Sequence, residues 1–195
     1  MKIAAEFVTS AAGADHFPRD RLPEIALVGR SNVGKSSLLN ALVRQPMART
    51  SAAPGKTRLA NFYRVQRGTA PALYLVDLPG FGYARGGDAA AQEFQRLTEA
   101  YLARPGARAV LLLVDSRHPG LDSDRDAWAW METLPYPHGI VGTKIDKLTR
   151  AERTRNAREL QLVFDAPVLP VSAVTGEGLD ELWKMIVRLP SQTAA

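Results

Sequence analysis

The octet Gly29-Arg30-Ser31-Asn32-Val33-Gly34-Lys35-Ser36 constrains this chain more than any other stretch, because it fits G-x-x-x-x-G-K-[ST] in the setting that pattern needs. Ahead of it, Ile25-Ala-Leu-Val28 is a short apolar run stopped by glycine, and behind it Ser36 to Val43 carries leucines at helical spacing. The octet therefore joins a strand to a helix. Its glycines let successive backbone N–H groups converge on phosphate oxygens, the helix N-terminus adds positive potential, and Lys35 supplies a movable cation. Ser36 can offer its hydroxyl to magnesium. Read alone, the glycines would make an ordinary turn and Lys35 a solvated charge, but average residue usage produces this motif in only about one in a hundred chains of this length.

A phosphate loop asks for a second carboxylate and a phosphate sensor further along. Asp77-Leu-Pro-Gly80 lies just past the apolar run Ala72 to Val76, where Asp77 can hold a magnesium-bound water and the Gly80 backbone N–H can reach a terminal phosphate. By itself D-x-P-G is a common turn; its position after the loop in chain order supplies the specificity. Between the two, Gly55-Lys56-Thr57 sits in a stretch rich in Ala, Ser, Pro and Gly, as a mobile loop should, and Thr57 can give magnesium a second hydroxyl. A flexible surface turn reads the same way.

Base choice rests on Thr143-Lys144-Ile145-Asp146, which follows a late strand. Guanine presents a ring N–H and an exocyclic amine side by side, and the Asp146 carboxylate can accept both; adenine has no ring N–H on that edge. A buried acceptor pair of this kind rejects the analogue lacking the donors by as much as roughly 10⁴-fold. Lys144 flanks the ring. Thr143 stands where most GTPases have Asn, so a hydroxyl with fewer bonding possibilities must brace the neighbouring loops, and modest nucleotide affinity is expected. Val171-Ser172-Ala173 ends the next strand, where backbone N–H groups can meet the guanine carbonyl and small Ala173 leaves room for the ring.

The rest of the chain supplies an alternating frame. Asn61 to Gln66 and Ala72 to Val76 read as strands joined in an antiparallel hairpin; Phe94, Leu97, Tyr101 and Leu102 mark a helix ended by Arg104-Pro105-Gly106. Val110 to Val114 is a buried central strand, Asp122-Ser-Asp124 can cap a helix bearing Trp128, Met131 and Leu134, and a strand lies near Ile140-Val141. A polar helix from about Thr149 to Val163, a strand at Val168 to Val171 and a helix carrying Leu179, Leu182, Trp183, Ile186 and Val187 complete the order. This gives an α/β fold, a mostly parallel sheet covered on both faces with one antiparallel strand.

Composition excludes several alternatives. A chain of 195 residues with 46% hydrophobic content suits one soluble domain. With no cysteine and three scattered histidines (His16, His118, His138), disulfides and thiolate or histidine zinc sites are ruled out, so any metal is oxygen-bound. No apolar run approaches the roughly 20 residues needed to span a bilayer, and the acidic residues near the start do not suit a signal peptide, which points to the cytoplasm. A net charge of +5 is compatible with a polyanionic partner and equally with a bland basic surface.

The ordered set GRSNVGKSSLLN, PGKTR, DLPGFGYA, TKIDK and VSAVTGEG resembles the EngB family of bacterial GTPases from about Leu22 to Leu189. The resemblance implies a Ras-like P-loop G domain with a six- to seven-stranded sheet over residues 22–190. Residues 1–21 form an N-terminal extension, with Lys2 to Val8 as a possible edge strand, and 191–195 a short tail. It implies a monomer that binds GTP and GDP with magnesium, takes part in assembly of the large ribosomal subunit through ribosomal RNA, and is associated with cell division and septation. By motif position the nucleotide is contacted by Gly29 to Ser36; by Gly55, Lys56, Thr57, Arg58 and Leu59; by Asp77, Leu78, Pro79 and Gly80; by Thr143, Lys144, Ile145 and Asp146; and by Val171, Ser172 and Ala173. Ser36 and Thr57 ligate magnesium directly and Asp77 through water.

For hydrolysis, Lys35, magnesium and the P-loop N–H groups can neutralise charge on the phosphoryl group, and Thr57 and Gly80 join Lys35 among the expected catalytic residues. The glutamine that orients water in Ras-like domains is replaced by Phe81, which cannot hydrogen-bond to it, so slow intrinsic turnover is expected. Asn32 resembles the asparagine that helps hold potassium in cation-activated GTPases. Phe81 and Tyr83 form an apolar segment placed to reorder with nucleotide state. Arginines and lysines near the switch loops (Arg44, Arg49, Lys56, Arg58, Arg64, Arg67, Arg85) and along one helix (Arg150, Arg153, Arg155, Arg158) could meet RNA phosphates, or be a solvated face paired with Glu152 and Glu159. Two readings stay open: a slow GTPase timing release from a ribosomal precursor, and a docking module that GTP merely stabilises. A P-loop ATPase or nucleotide kinase would leave Asp146 unexplained.

Overall fold

The computed structural model describes residues 2–48, 59–81, 88–104, 106 and 108–190, with the backbone alone at 88–91 and 93–95. Seven strands make one sheet: β1 (Ile3–Ala11), β2 (Glu24–Gly29), β3 (Ala60–Arg67), β4 (Leu73–Asp77), β5 (Arg108–Asp115), β6 (His138–Thr143) and β7 (Val168–Pro170), in the order β1-β3-β4-β2-β5-β6-β7. Only β3 runs against the others. It pairs antiparallel with β4 through the hairpin and with β1 on its other side, while β4-β2-β5-β6-β7 are parallel. The N-terminal strand thus forms one edge of the sheet, carried on β3.

Among the described residues, five α-helices cover the sheet: α1 (Lys35–Val43), α2 (Asp88–Leu102), α3 (Asp122–Glu132), α4 (Arg150–Phe164) and α5 (Leu179–Arg188). Strand alternation sorts the core into two layers. Ile25 and Leu27 of β2 face one layer with Leu39 and Leu42 of α1 and Trp183 and Ile186 of α5. Ala26 and Val28 face the other with Tyr101 of α2, Trp128 of α3 and Leu160 and Phe164 of α4. Because β2 and β5 are covered on both faces, every residue in them is buried, which is why their sequences read as continuous apolar runs.

Two helix starts differ in kind. α4 begins with a capping box: Thr149 Oγ1 accepts from the Glu152 N–H at 3.3 Å, and the Thr149 N–H donates to Glu152 at 2.8 Å. Glu152 is therefore committed to the cap rather than to the arginines of its helix. α3, whose cap was expected from Asp122-Ser-Asp124, has Leu121 at the N-cap with no side-chain hydrogen bond, and Asp124 turns inward instead.

The end of the sheet remote from the P-loop carries a buried ionic cluster. Glu24, at the start of β2, accepts from Arg104, which follows α2, and from Arg108 of β5 at 3.4 Å. Arg104 also lies over the Phe17 ring at 4.6 Å, so the segment between β1 and β2 is fastened to the end of α2.

Candidate nucleotide site

All four described motif segments emerge at one end of the sheet, beyond the carboxyl ends of β2, β4, β6 and β7, where parallel α/β sheets bind ligands. Gly55, Lys56, Thr57 and Arg58 lie outside the described residues, and Leu59 is an exposed residue leading into β3.

The loop from Arg30 to Gly34 follows β2 directly and closes into α1, with Gly34 as the N-cap at φ 111°. Asn32 adopts φ 62° and is exposed, while Val33 is buried and anchors the loop to the core. Gly29 has no room for a side chain: a Cβ would stand 2.8 Å from the Leu113 carbonyl oxygen and 2.9 Å from Val33. Lys35 is buried, with its Nζ donating to the Gly29 carbonyl at 3.2 Å. Burial pushes its ammonium down from the ordinary lysine range, and the nearby Asp77 carboxylate opposes that.

Asp77 closes β4 beside the loop. Its Oδ2 accepts from Ser36 Oγ at 3.4 Å, whereas Oδ1 is buried with no hydrogen-bond partner. Burial raises the Asp77 carboxyl, with Lys35 and Ser36 pulling it back. A buried carboxylate oxygen without a donor, next to a serine hydroxyl, is the oxygen-only environment a hard divalent cation takes. Ser36 and Asp77 therefore fit magnesium. Among the described residues no group of three or more His, Cys, Asp or Glu stands together, and phosphate and water could supply the remaining oxygens.

Gly80 lies against the loop. A Cβ there would come within 2.9 Å of the Ser31 nitrogen and 3.2 Å of Lys35 Nζ, so only glycine lets this backbone reach the phosphate cradle. The Ser31 N–H points to the Phe81 carbonyl at 3.4 Å, and Arg30 and Phe81 form an isolated parallel bridge. The Arg30 side chain turns away to Asp124 of α3, 3.0 Å from a carboxylate that is 1% exposed. Any phosphate contact from Arg30 thus falls to its backbone.

The end of the site expected to read the base is built by cross-links that sequence order did not reveal. Thr143 Oγ1 lies 2.7 Å from the Val33 carbonyl and 3.0 Å from that of Val114, so its one proton ties β6 to the P-loop. Lys144, at φ 62°, sends its ammonium to the Asn32 carbonyl at 2.6 Å and to Asp115 at 2.9 Å. Ser172 Oγ donates to Asp146 Oδ1 at 2.7 Å and accepts from the N–H groups of Val174 and Thr175. The Ile145 N–H reaches the Val171 carbonyl at 3.4 Å, and Ala173 packs against the α1 and α5 layer.

Asp115 and Arg117 belong to this site and were missed. The Arg117 guanidinium grips Asp115 through Nε at 3.0 Å and Nη2 at 2.8 Å, and its backbone N–H adds a third bond. Burial works to raise the Asp115 carboxyl, but Arg117 and Lys144 outweigh it and hold it below the ordinary carboxylate range. Asp115 ends an apolar strand as Asp77 does, but no Pro-Gly follows it, so the D-x-P-G pattern that marked Asp77 does not mark it.

The chain matches the family described as 50S ribosome-binding GTPase over residues 24–144. It is 43% identical to a probable GTP-binding protein EngB of Symbiobacterium thermophilum, an alignment covering 95% of each chain. Its fold is similar to that of an Aquifex aeolicus Era variant bound to GDP and AlF4−, with a TM-score of 0.75 and 24% identity over 86% of this chain and 57% of that one. It is also similar to NFeoB of S. thermophilus bound to GDP, AlF4− and K+, with a TM-score of 0.67 and 24% identity over 89% of this chain and 64% of that one.

Proposed function

Because this chain belongs to the EngB family of GTP-binding proteins, we propose that it is a cytoplasmic guanine-nucleotide switch in assembly of the large ribosomal subunit, with an associated role in cell division and septation. The observation that carries the nucleotide part is the convergence of the P-loop, Asp77 and the Ser172-held Asp146 at one sheet end. The family's activity, hydrolysis of GTP to GDP and phosphate, comes with membership. The ribosomal part is supported by the family description.

In this reading residues 22–190 are the G domain and the chain acts as a monomer. Gly29 to Ser36 wrap the phosphates, Lys35 neutralises terminal-phosphate charge, and the Gly80 N–H senses it. Magnesium, when bound through Ser36 and, via water, Asp77, would draw charge from the bridging oxygens. Thr57 is the second hydroxyl assigned to it. Asp146 selects guanine, with Lys144 along the ring and the Ser172-Ala173 backbone at the base carbonyl.

Phe81 occupies the position after Gly80, and its side chain cannot hydrogen-bond to an attacking water. Intrinsic turnover is then as slow as in unassisted Ras-like domains, about 10⁻³ to 10⁻⁴ per second. A partner or a cation supplies what is lacking. Exposed Asn32 is the residue proposed to help hold potassium, a reading supported by the K+ in the NFeoB relative. Rates in potassium and sodium chloride at equal ionic strength test it; equal rates leave Asn32 a structural role.

The surface of α4 offers Arg150, Arg155 and Arg158, exposed and without a carboxylate within ion-pair reach among the described residues, while Arg153 is paired with Glu177. Phosphate contact there predicts binding to precursor particles that weakens steeply with salt. The deciding experiment is GTP turnover with and without large-subunit precursor particles. Stimulation supports the timed switch, and an unchanged rate with GTP-dependent binding supports the docking module.

A further inference from the structure

Behind the base-reading loops lies a cavity of about 250 Å³ that the nucleotide chemistry does not use. Its walls are apolar: Ile145 and Leu148 from the segment after β6, Leu160 and Ala157 from α4, and Val168 of β7. Its mouth is polar. Arg153 of α4 and Glu177 of the loop after β7 face each other across it, with Nη1 2.8 and 3.1 Å from the two carboxylate oxygens.

Two features mark this space as a site rather than slack packing. The first is its size: a cavity of about 150 Å³ already accepts benzene, and this one has room for a substituted ring. The second is its charge. The only cation in the lining is Arg153, a planar guanidinium that pairs with carboxylates through two parallel bonds. Its bridge to Glu177 joins two partly exposed side chains, at 36% and 53%, and such pairs are weak enough to exchange partners.

The position gives the cavity consequence. Ile145 sits between Lys144 and Asp146, and Glu177 lies on the loop whose first residues are Ser172 and Ala173, with the Ser172 N–H donating to the Glu177 carbonyl at 2.9 Å. A molecule lodged here presses on the backs of both segments that read guanine.

We propose that the cavity walled by Ile145, Leu148, Leu160 and Val168 and gated by Arg153 and Glu177 binds a small aromatic carboxylate and couples it to guanine-nucleotide affinity. The ring fills the apolar chamber, the carboxylate takes Arg153 from Glu177, and the released Glu177 loosens the loop that carries Ser172. The coupling rests on Asp146 and Ser172 as base readers; the binding does not.

The test is a titration of methyl-labelled, nucleotide-free protein with 4-ethylbenzoate, followed by NMR. Saturable shifts are expected at the Ile145, Leu148, Leu160 and Val168 methyls, with 4-ethylbenzylamine at least tenfold weaker. Ala157→Trp, on an exposed helix position, should fill the chamber and abolish the shifts while leaving the far-UV ellipticity of the protein unchanged; Thr154→Trp serves if that variant does not fold. Saturating 4-ethylbenzoate should change the GDP dissociation constant at least threefold, and GDP should change that of the probe by the same factor. Absence of saturable shifts, shifts that survive both tryptophan variants, tighter binding of the amine, or an unaltered GDP constant would each overturn the proposal. If GDP binds no better than ADP while the methyl shifts saturate, the base-reading assignment has failed and the cavity stands.

Discussion

The hydroxyl of Thr143 lies 2.7 Å from the carbonyl oxygen of Val33, so a residue at the end of β6 holds the crest of the P-loop. The bond is buried, and a single hydroxyl stands here in place of the side-chain amide that most GTPases have. Thr143→Val keeps the shape and removes the bond, which costs about 1–2 kcal/mol and should weaken GDP binding about tenfold. Titration with a fluorescent GDP analogue reads it, and an unchanged constant would mean that the loop holds its shape unaided.

Asp146 is predicted to decide the base. Asp146→Asn replaces one acceptor oxygen by a donor amide, so GDP binding should drop by at least roughly 10²-fold while xanthosine diphosphate, which has a carbonyl in place of guanine's amine, gains. Ser172→Ala should give a milder loss of about 1–2 kcal/mol, because Asp146 keeps its charge and loses only its orienting hydroxyl. Competition among GDP, inosine and xanthosine diphosphates separates these outcomes.

The Asp115 carboxyl is held below the ordinary carboxylate range by Arg117 and Lys144. The unfolded chain therefore binds more protons near the unfolded value of about 4, and stability contributed by this ion cluster is present above that pH and lost as pH falls through the lower folded value. Asp115→Asn should flatten the acid limb of a stability profile below about pH 4. Following ellipticity during acid titration of both proteins checks the sign.

Glu24 is buried between two arginines at the far end of the sheet, away from the P-loop. Removing one partner of a buried ionic set leaves charge uncompensated, at a cost of about 3–5 kcal/mol. Glu24→Gln should lower the melting temperature by roughly ten degrees while nucleotide constants measured on the folded fraction barely move. The capping box of α4 is worth less: Thr149→Ala should cost about 1 kcal/mol.

What could be read from sequence was what is local. The P-loop, the strand-end Asp77 and the helical stripes depend on neighbours a few residues away, and the structure has those elements within a few positions. The braces were not legible because they join residues far apart: Thr143 reaches back 110 positions to Val33, and Ser172 meets Asp146 across 26. Glu24 lies 80 positions from Arg104 and 84 from Arg108, and only the fold brings them together. The cap expected at Asp122 to Asp124 fell to a competing attraction, because Asp124 is drawn in by Arg30.

Strand order has a consequence for synthesis. β2, which bears the P-loop, lies between β4 and β5, so its neighbours are complete once residue 115 has been made. Asp146 and Ser172, the residues proposed to tell guanine from other bases, follow β6 and β7, outermost on one side and last along the chain. A nascent protein therefore holds the parts for grasping phosphate before it holds those for choosing a nucleotide, and selectivity is the final property it acquires.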